Sequence, residues 1–211
     1  MNELFHNLDE EKRERIINAA LKDFAKRGFK YASTDEIIKN ANISKGSLFN
    51  YFGNKKNLYL YLIEYSKQIV EKIYEETDLN EPDLFKRLEN IGATKVLMFQ
   101  LYPQVPDFLV SIKEEDSIEV ADSNMQEINQ IYKEGLEVMF ENIDLSKFRD
   151  DIDLTKAQEI LNWVMVGFSE KVISQLSTFE NIDIVKREYL KEWELYSAIL
   201  KRTFYKEDYK R

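Results

Sequence analysis

Apolar side chains recur at intervals of three and four along nearly all of this chain, and little interrupts them: its 211 residues include only six glycines and three prolines. Such spacing stacks apolar groups on one face of a helix, whereas a half-buried strand needs strict alternation. No strand-like alternation of useful length and no internal repeat is present. The sequence therefore predicts an all-α fold of several amphipathic helices, with no disordered linker between its parts.

Composition narrows the setting. No apolar run approaches the roughly 20 residues of a membrane-spanning helix, so no membrane partner is expected. The stretch from Met1 to Glu10 lacks a basic segment followed by an apolar one; no export signal is expected, and the expected location is cytoplasmic. There is no cysteine, hence no disulfide framework and no thiolate metal site. A net charge of −9 argues against nucleic acid until it is divided. Residues 1–56 hold 11 Lys/Arg against 8 Asp/Glu, while residues 57–211 hold 19 against 31. A small basic end on an acidic body is compatible with DNA, because phosphate binding depends on the local field.

The first helix is expected over 9–27. Ile16, Ile17, Ala20, Leu21, Phe24 and Ala25 form its apolar face, Asp9 its cap, and Gly28 its stop. His6, the single histidine, precedes it in a stretch expected to fray. Ser33 and Glu36 form a possible capping box for a helix over roughly 34–41. Asn42 follows where a sharp turn requires a left-handed residue, and Ser44 opens a helix over roughly 45–51. Longer helices are expected over about 54–76, from Pro82 to Leu101, and over 107–115, 117–142, 154–178 and 183–205.

The stretch 33–58 carries the most specific chemistry. Two short helices joined by a tight turn form a helix-turn-helix, whose second helix enters the major groove. Close docking needs small residues at that helix start and phosphate donors at its margins. Ser44, Lys45, Gly46 and Ser47 supply amides, hydroxyls and a cation there. Asn50 offers a paired donor and acceptor to a base edge, while Tyr51, Lys55 and Thr34 suit phosphates. Leu48 and Phe52 face inward, toward Ile37, Ile38 and Phe24.

Here the chain resembles a known family. The run Ile16–Ala20–Phe24–Gly28, then Phe29, Ser33, Glu36-Ile37 and Ala41 matches its first half. Ile43-Ser44-Lys45-Gly46-Ser47-Leu48, Tyr51-Phe52, Asn54-Lys55 and Leu58 match the rest. On these residues, 12–58 looks like the DNA-binding domain of the tetracycline-repressor (TetR) family of bacterial transcriptional regulators. By that similarity Thr34, Ser44, Lys45, Gly46, Ser47, Phe49, Asn50, Tyr51 and Lys55 fall where the family touches DNA. Ile38 replaces a usual Ala, Asn42 a usual Gly, and Phe49 stands where a tyrosine is frequent.

The resemblance implies a DNA-binding domain over 1–54 and a helical ligand-binding and dimerisation domain over 55–211. The implied protein is a homodimeric regulator, a repressor released from a palindromic double-stranded DNA operator by a small, largely apolar effector. It needs no cofactor. Met98, Phe99, Tyr102, Phe108, Met125, Tyr132, Met139, Trp163 and Phe168 could wall an apolar pocket, although each taken singly reads more readily as plain core. The last two helices offer dimer-interface candidates: Ile160, Val164, Gly167 and Lys171 on the first, and Tyr189, Trp193, Tyr196, Ile199 and Leu200 on the second. The competing reading is that both stripes face their own chain's core, and the residues are expected to divide between the two roles.

A catalytic reading has little support. There is no Cys/His cluster, Gly-rich phosphate loop or serine-hydrolase elbow, and Glu114-Glu115-Asp116 reads as a solvated helix end rather than a cation site. An all-helical interaction scaffold without DNA activity is the alternative. It leaves the placement of Ser-Lys-Gly-Ser and Tyr-Phe-Gly-Asn-Lys without a reason.

Overall fold

The computed structural model describes residues 3–176 and 182–209. Among these, ten α-helices follow in order: α1 Glu3–His6, α2 Glu10–Tyr31, α3 Thr34–Ala41, α4 Lys45–Phe52, α5 Lys55–Glu75, α6 Leu84–Leu101, α7 Val105–Glu114, α8 Ala121–Phe140, α9 Leu154–Leu176 and α10 Ile182–Phe204. The β structure of the described residues is one isolated antiparallel bridge between Phe148 and Tyr205. The all-α expectation holds. No helix of the described residues is long and apolar enough to cross a membrane.

Contacts divide the chain into two compact units. The first comprises Met1–Glu71 with Tyr102–Tyr132, the second Lys72–Leu101 with Lys133–Arg211. In the first, Ile16, Ile17, Ala20, Leu21 and Phe24 bury the inner face of α2 together with Ile37, Ala41, Leu48 and Phe52. Helix α7 lies on α2 in the same unit, its Phe108 ring 5.5 Å from Tyr59 and 6.4 Å from Phe24.

Helix α1 departs from expectation. Glu3–His6 form a short helix where fraying is expected: Phe5 is fully buried, its ring 4.7 Å from Phe52, 5.7 Å from Tyr51 and 5.3 Å from Tyr61. One large aromatic burying its whole surface outweighs the weak propensity of a four-residue helix.

The second unit is built around Leu84, Leu88, Leu161, Phe168, Tyr189 and Trp193, closed at one end by Phe85, Phe148, Phe204 and Tyr205. Helix α6 begins two residues beyond Pro82, because Asp83 caps it: Oδ1 accepts from Phe85 N at 3.0 Å and Lys86 N at 3.2 Å. Oδ2 receives Lys147 Nζ at 2.8 Å. The fully buried Arg87 donates to the carbonyls of Glu81 (2.9 Å), Val138, Met139 and Glu141, so a cation closes the C-terminal end of α8. Gly92 leaves room for the Tyr189 hydroxyl, which fills the space a Cβ would occupy.

Candidate nucleic-acid interface

Helices α3 and α4 are set by short-range chemistry. Ser33 Oγ accepts from Glu36 N at 3.4 Å, half of the expected capping box. The other half is taken by Asp23: its buried carboxylate accepts from Ser33 N at 2.7 Å and pairs with Arg27 at 3.2 Å. Asn42 adopts the left-handed conformation (φ 52°, ψ 53°), which ends α3 and turns the chain into α4. Ser44 caps α4, accepting from Ser47 N at 3.0 Å, with the two hydroxyls 2.8 Å apart. Gly53, at φ 75°, ends it.

Leu48 and Phe52 are buried and fasten α4 from inside. Its remaining surface presents Ser44, Lys45, Gly46, Phe49 and Asn50 as exposed residues, with Ser47 and Tyr51 half-buried at the edge. Thr34 is half-buried in the first turn of α3. Lys45 Nζ reaches Asp35 Oδ1 at 3.1 Å, an ion pair between exposed groups of the two helices. The structure thus gathers eight of the nine predicted contact residues on α4 and the start of α3, with Lys55 just beyond.

Lys55 is engaged internally. Its Nζ donates to the carbonyls of Phe29 (2.8 Å), Lys30 (3.3 Å) and Ala32 (3.4 Å), and lies 4.7 Å from the centre of the Phe29 ring. A cation here completes the C-terminal end of α2, whose carbonyls would otherwise lack donors.

The same turn is held from its other side. Gly28 leaves helical geometry at φ 66°, ψ 174°, and the next amide, Phe29 N–H, donates to Glu115 Oε2. Glu115 Oε1 accepts from Ser117 N at 2.9 Å. The carboxylate expected to be solvated is therefore half-buried and committed to two amides. Asp116 is exposed, and the Glu114 side chain lies outside the described residues. Nothing local in the sequence marks the Glu115 contact, since 86 residues separate its partners.

The pocket candidates are dispersed. Phe108 belongs to the core of the first unit, where Tyr102 lies 6.3 Å from Tyr65. Phe168 belongs to the core of the second, which Met139 borders; Phe99 is buried and Met98 half-buried on α6. Trp163 is 66% exposed, facing away from that core. The side chains of Met125 and Tyr132 lie outside the described residues. Sequence reasoning passed over Lys95, whose Nζ sits 5.6 Å from the Phe99 ring and whose pKa burial pushes down to about 8.

The dimer candidates divide. Tyr189, Trp193 and Leu200 are buried in their own unit, and Val164 packs against the same core. Ile160, Tyr196 and Ile199 are exposed, and a Cβ at Gly167 would meet nothing within 4 Å. Lys171 pairs with Glu192 across α9 and α10. Among the described residues, no group of three or more His, Asp or Glu side chains stands where it could hold a metal ion.

Residues 16–62 match the profile of the bacterial regulatory proteins of the tetR family. The transcriptional regulator YvkB of Bacillus subtilis is 35% identical over 80 residues, 38% of this chain and 41% of that protein, so the match spans less than half of its length. The regulator YdgC of the same organism is 28% identical over 171 residues, 77% of this chain and 82% of its own. A TetR family regulator from Chloroflexus aurantiacus shares the fold, with a TM-score of 0.73 at 24% identity over 97% of this chain and 98% of its own. With the helix-turn-helix in place, residues 16–62 carry the DNA-binding domain of the tetR family of bacterial regulatory proteins, and the chain shares its overall fold with a solved regulator of that family.

Proposed function

We propose that this protein is a ligand-responsive transcriptional repressor that binds palindromic double-stranded DNA as a homodimer in the cytoplasm. The observation that carries the reading is α4: a helix anchored inward by Leu48 and Phe52 that turns Ser44, Lys45, Gly46 and Asn50 outward. Small residues permit backbone approach to the groove, and Asn50 supplies the paired donor and acceptor a base edge recognises. Thr34, Ser47, Phe49 and Tyr51 flank it as contacts to the duplex backbone. Residues 1–54 form the DNA-binding part, and residues 55–211 the part that dimerises and takes a small, largely apolar effector.

Palindromic DNA is read by two copies at fixed spacing. The outward stripes of α9 and α10, with Ile160, Gly167, Tyr196 and Ile199, are the surface for the second copy; Trp163 and Leu195 extend it. Effector binding in the body moves α5, alters that spacing and weakens binding tenfold for each 1.4 kcal/mol or so of differential affinity.

The test is binding to palindromic segments upstream of the protein's own gene, against scrambled duplexes, at two salt concentrations. Selective, salt-sensitive binding with two chains per duplex is the expected result. Equal affinity for all duplexes, or binding by single chains, overturns the reading.

A further inference from the structure

The Phe29 peptide is clasped on both sides. Its N–H is held by Glu115, which follows α7, and its carbonyl by Lys55, which opens α5. Gly28 makes the first contact possible twice over. Its positive φ turns the Phe29 amide outward, and a Cβ at position 28 would lie 2.7 Å from Glu115 Oε2. The Phe29 ring is buried, stacked on Phe24 and edge-on to Tyr59, so the peptide itself has little room to move. Helix α7 is fastened to the same aromatic group through Phe108. Displacing α7 therefore carries Glu115 with it, and leaves the Phe29 amide without its acceptor.

We propose that Glu115 is a positioning residue for DNA binding: it fixes the Phe29 peptide, whose carbonyl in turn fixes Lys55 at the margin of the DNA-binding face. The inference rests on the DNA-binding reading given above. Glu115 touches no duplex; it acts through Phe29 and Lys55. A shift of α7 that withdraws its carboxylate loosens the turn between α2 and α3, which gives the body a route to the head in addition to α5.

The charge of Glu115 makes the test decisive in sign. On electrostatics alone, removing an anion that touches the DNA-binding part strengthens the attraction of that part to phosphates. On positioning, Glu115→Ala weakens binding by roughly fivefold or more, and the salt slope falls by up to about one unit as the Lys55 cation loses its place. Glu115→Gln keeps an oxygen acceptor and should bind within about twofold of the unaltered protein, which a charge effect does not allow. The full-length protein and both variants would be titrated with the upstream palindromic duplex and with a mixed-sequence duplex. Hydrogen exchange at the Phe29 amide would be followed alongside, and should speed up about tenfold in Glu115→Ala while buried amides of α2 keep their protection. If Glu115→Ala binds as tightly as the unaltered protein or more tightly, the proposal fails while the DNA-binding reading stands. If the unaltered protein binds neither duplex, that reading fails, and the proposal with it. Should Glu115→Ala lose protection throughout α2, Glu115→Gln becomes the deciding variant. Binding by Glu115→Gln close to that of the unaltered protein then supports the proposal, and binding as weak as that of the Ala variant overturns it.

Discussion

The ring of Phe5 lies 4.7 Å from that of Phe52, the last residue of α4, and none of the Phe5 side chain is exposed. A four-residue helix at the start of the chain is thus part of the support for α4. Replacing Phe5 with Ala should lower the stability of the protein by about 3 kcal/mol, the low end for a buried Phe, since α1 can undock rather than leave a sealed cavity. Thermal unfolding checks the magnitude, and faster hydrogen exchange at the amides of α1 would report the undocking.

Gly92 and Tyr189 share one volume. A methyl group at position 92 would overlap the Tyr189 ring and hydroxyl, both buried in the second unit. Gly92→Ala should cost about 1–3 kcal/mol net by overpacking, which more than offsets the roughly 1 kcal/mol usually gained from Ala in a helix. Tyr189→Phe in the same chain should restore part of the loss, measured by denaturant unfolding of the two single variants and the double.

Burial holds the Lys95 pKa at about 8 in the folded protein, below its ordinary value of 10.5. The unfolded chain then binds more protons than the folded one between these values, so stability rises with pH across that window. Below pH 8 the folded state carries a half-buried, partly desolvated ammonium at a cost. Lys95→Met should remove the rise and stabilise the protein at neutral pH by something on the order of 2 kcal/mol. Parallel unfolding curves at pH 7 and pH 10 would show the difference between the two proteins narrowing at the higher value.

Lys45 and Asn50 share the exposed face of α4 but differ in chemistry. Lys45→Ala should weaken binding to every duplex and lower the salt slope by about one unit, the signature of one lost phosphate contact. Asn50→Ala should leave the slope unchanged and alter the ranking of base-pair variants by about 1–3 kcal/mol at one position in each half-site. Titrations at several salt concentrations separate the two.

Single Trp163→Ala and Ile199→Glu exchanges address the outward stripes of α9 and α10, where both side chains are largely exposed. The glutamate should shift the chain toward monomers in sedimentation experiments, because an unpaired charge in an apolar interface is strongly unfavourable. Its effect on unfolding of the isolated chain should be small, since Ile199 is already in water there.

What the sequence disclosed is what is written locally. Asp9, Ser33, Asn42 and Ser44 mark their caps and turn through backbone needs that a few neighbouring residues satisfy. Leu48 and Phe52 face inward as their spacing requires. Phe5 escaped because one aromatic residue has no period, and its partners come from α4 and α5. The commitments of Lys55 and Glu115 were hidden for a related reason: a cation and an anion read as solvated until the carbonyls and amides that need them are brought close. On α9 and α10 an interface stripe and a core stripe have the same spacing. Packing alone sorted Trp193 inward and Trp163 outward.

Gly28 and Glu115 carry a consequence for how this sequence can change over generations. A side chain at position 28 would have to accept a left-handed backbone and would collide with the Glu115 carboxylate. Position 28 is therefore not replaceable alone at little cost: descendants that gain a side chain there should also have lost the long acidic group at 115. Across an alignment of near relatives the two positions, 87 apart in number, should vary together.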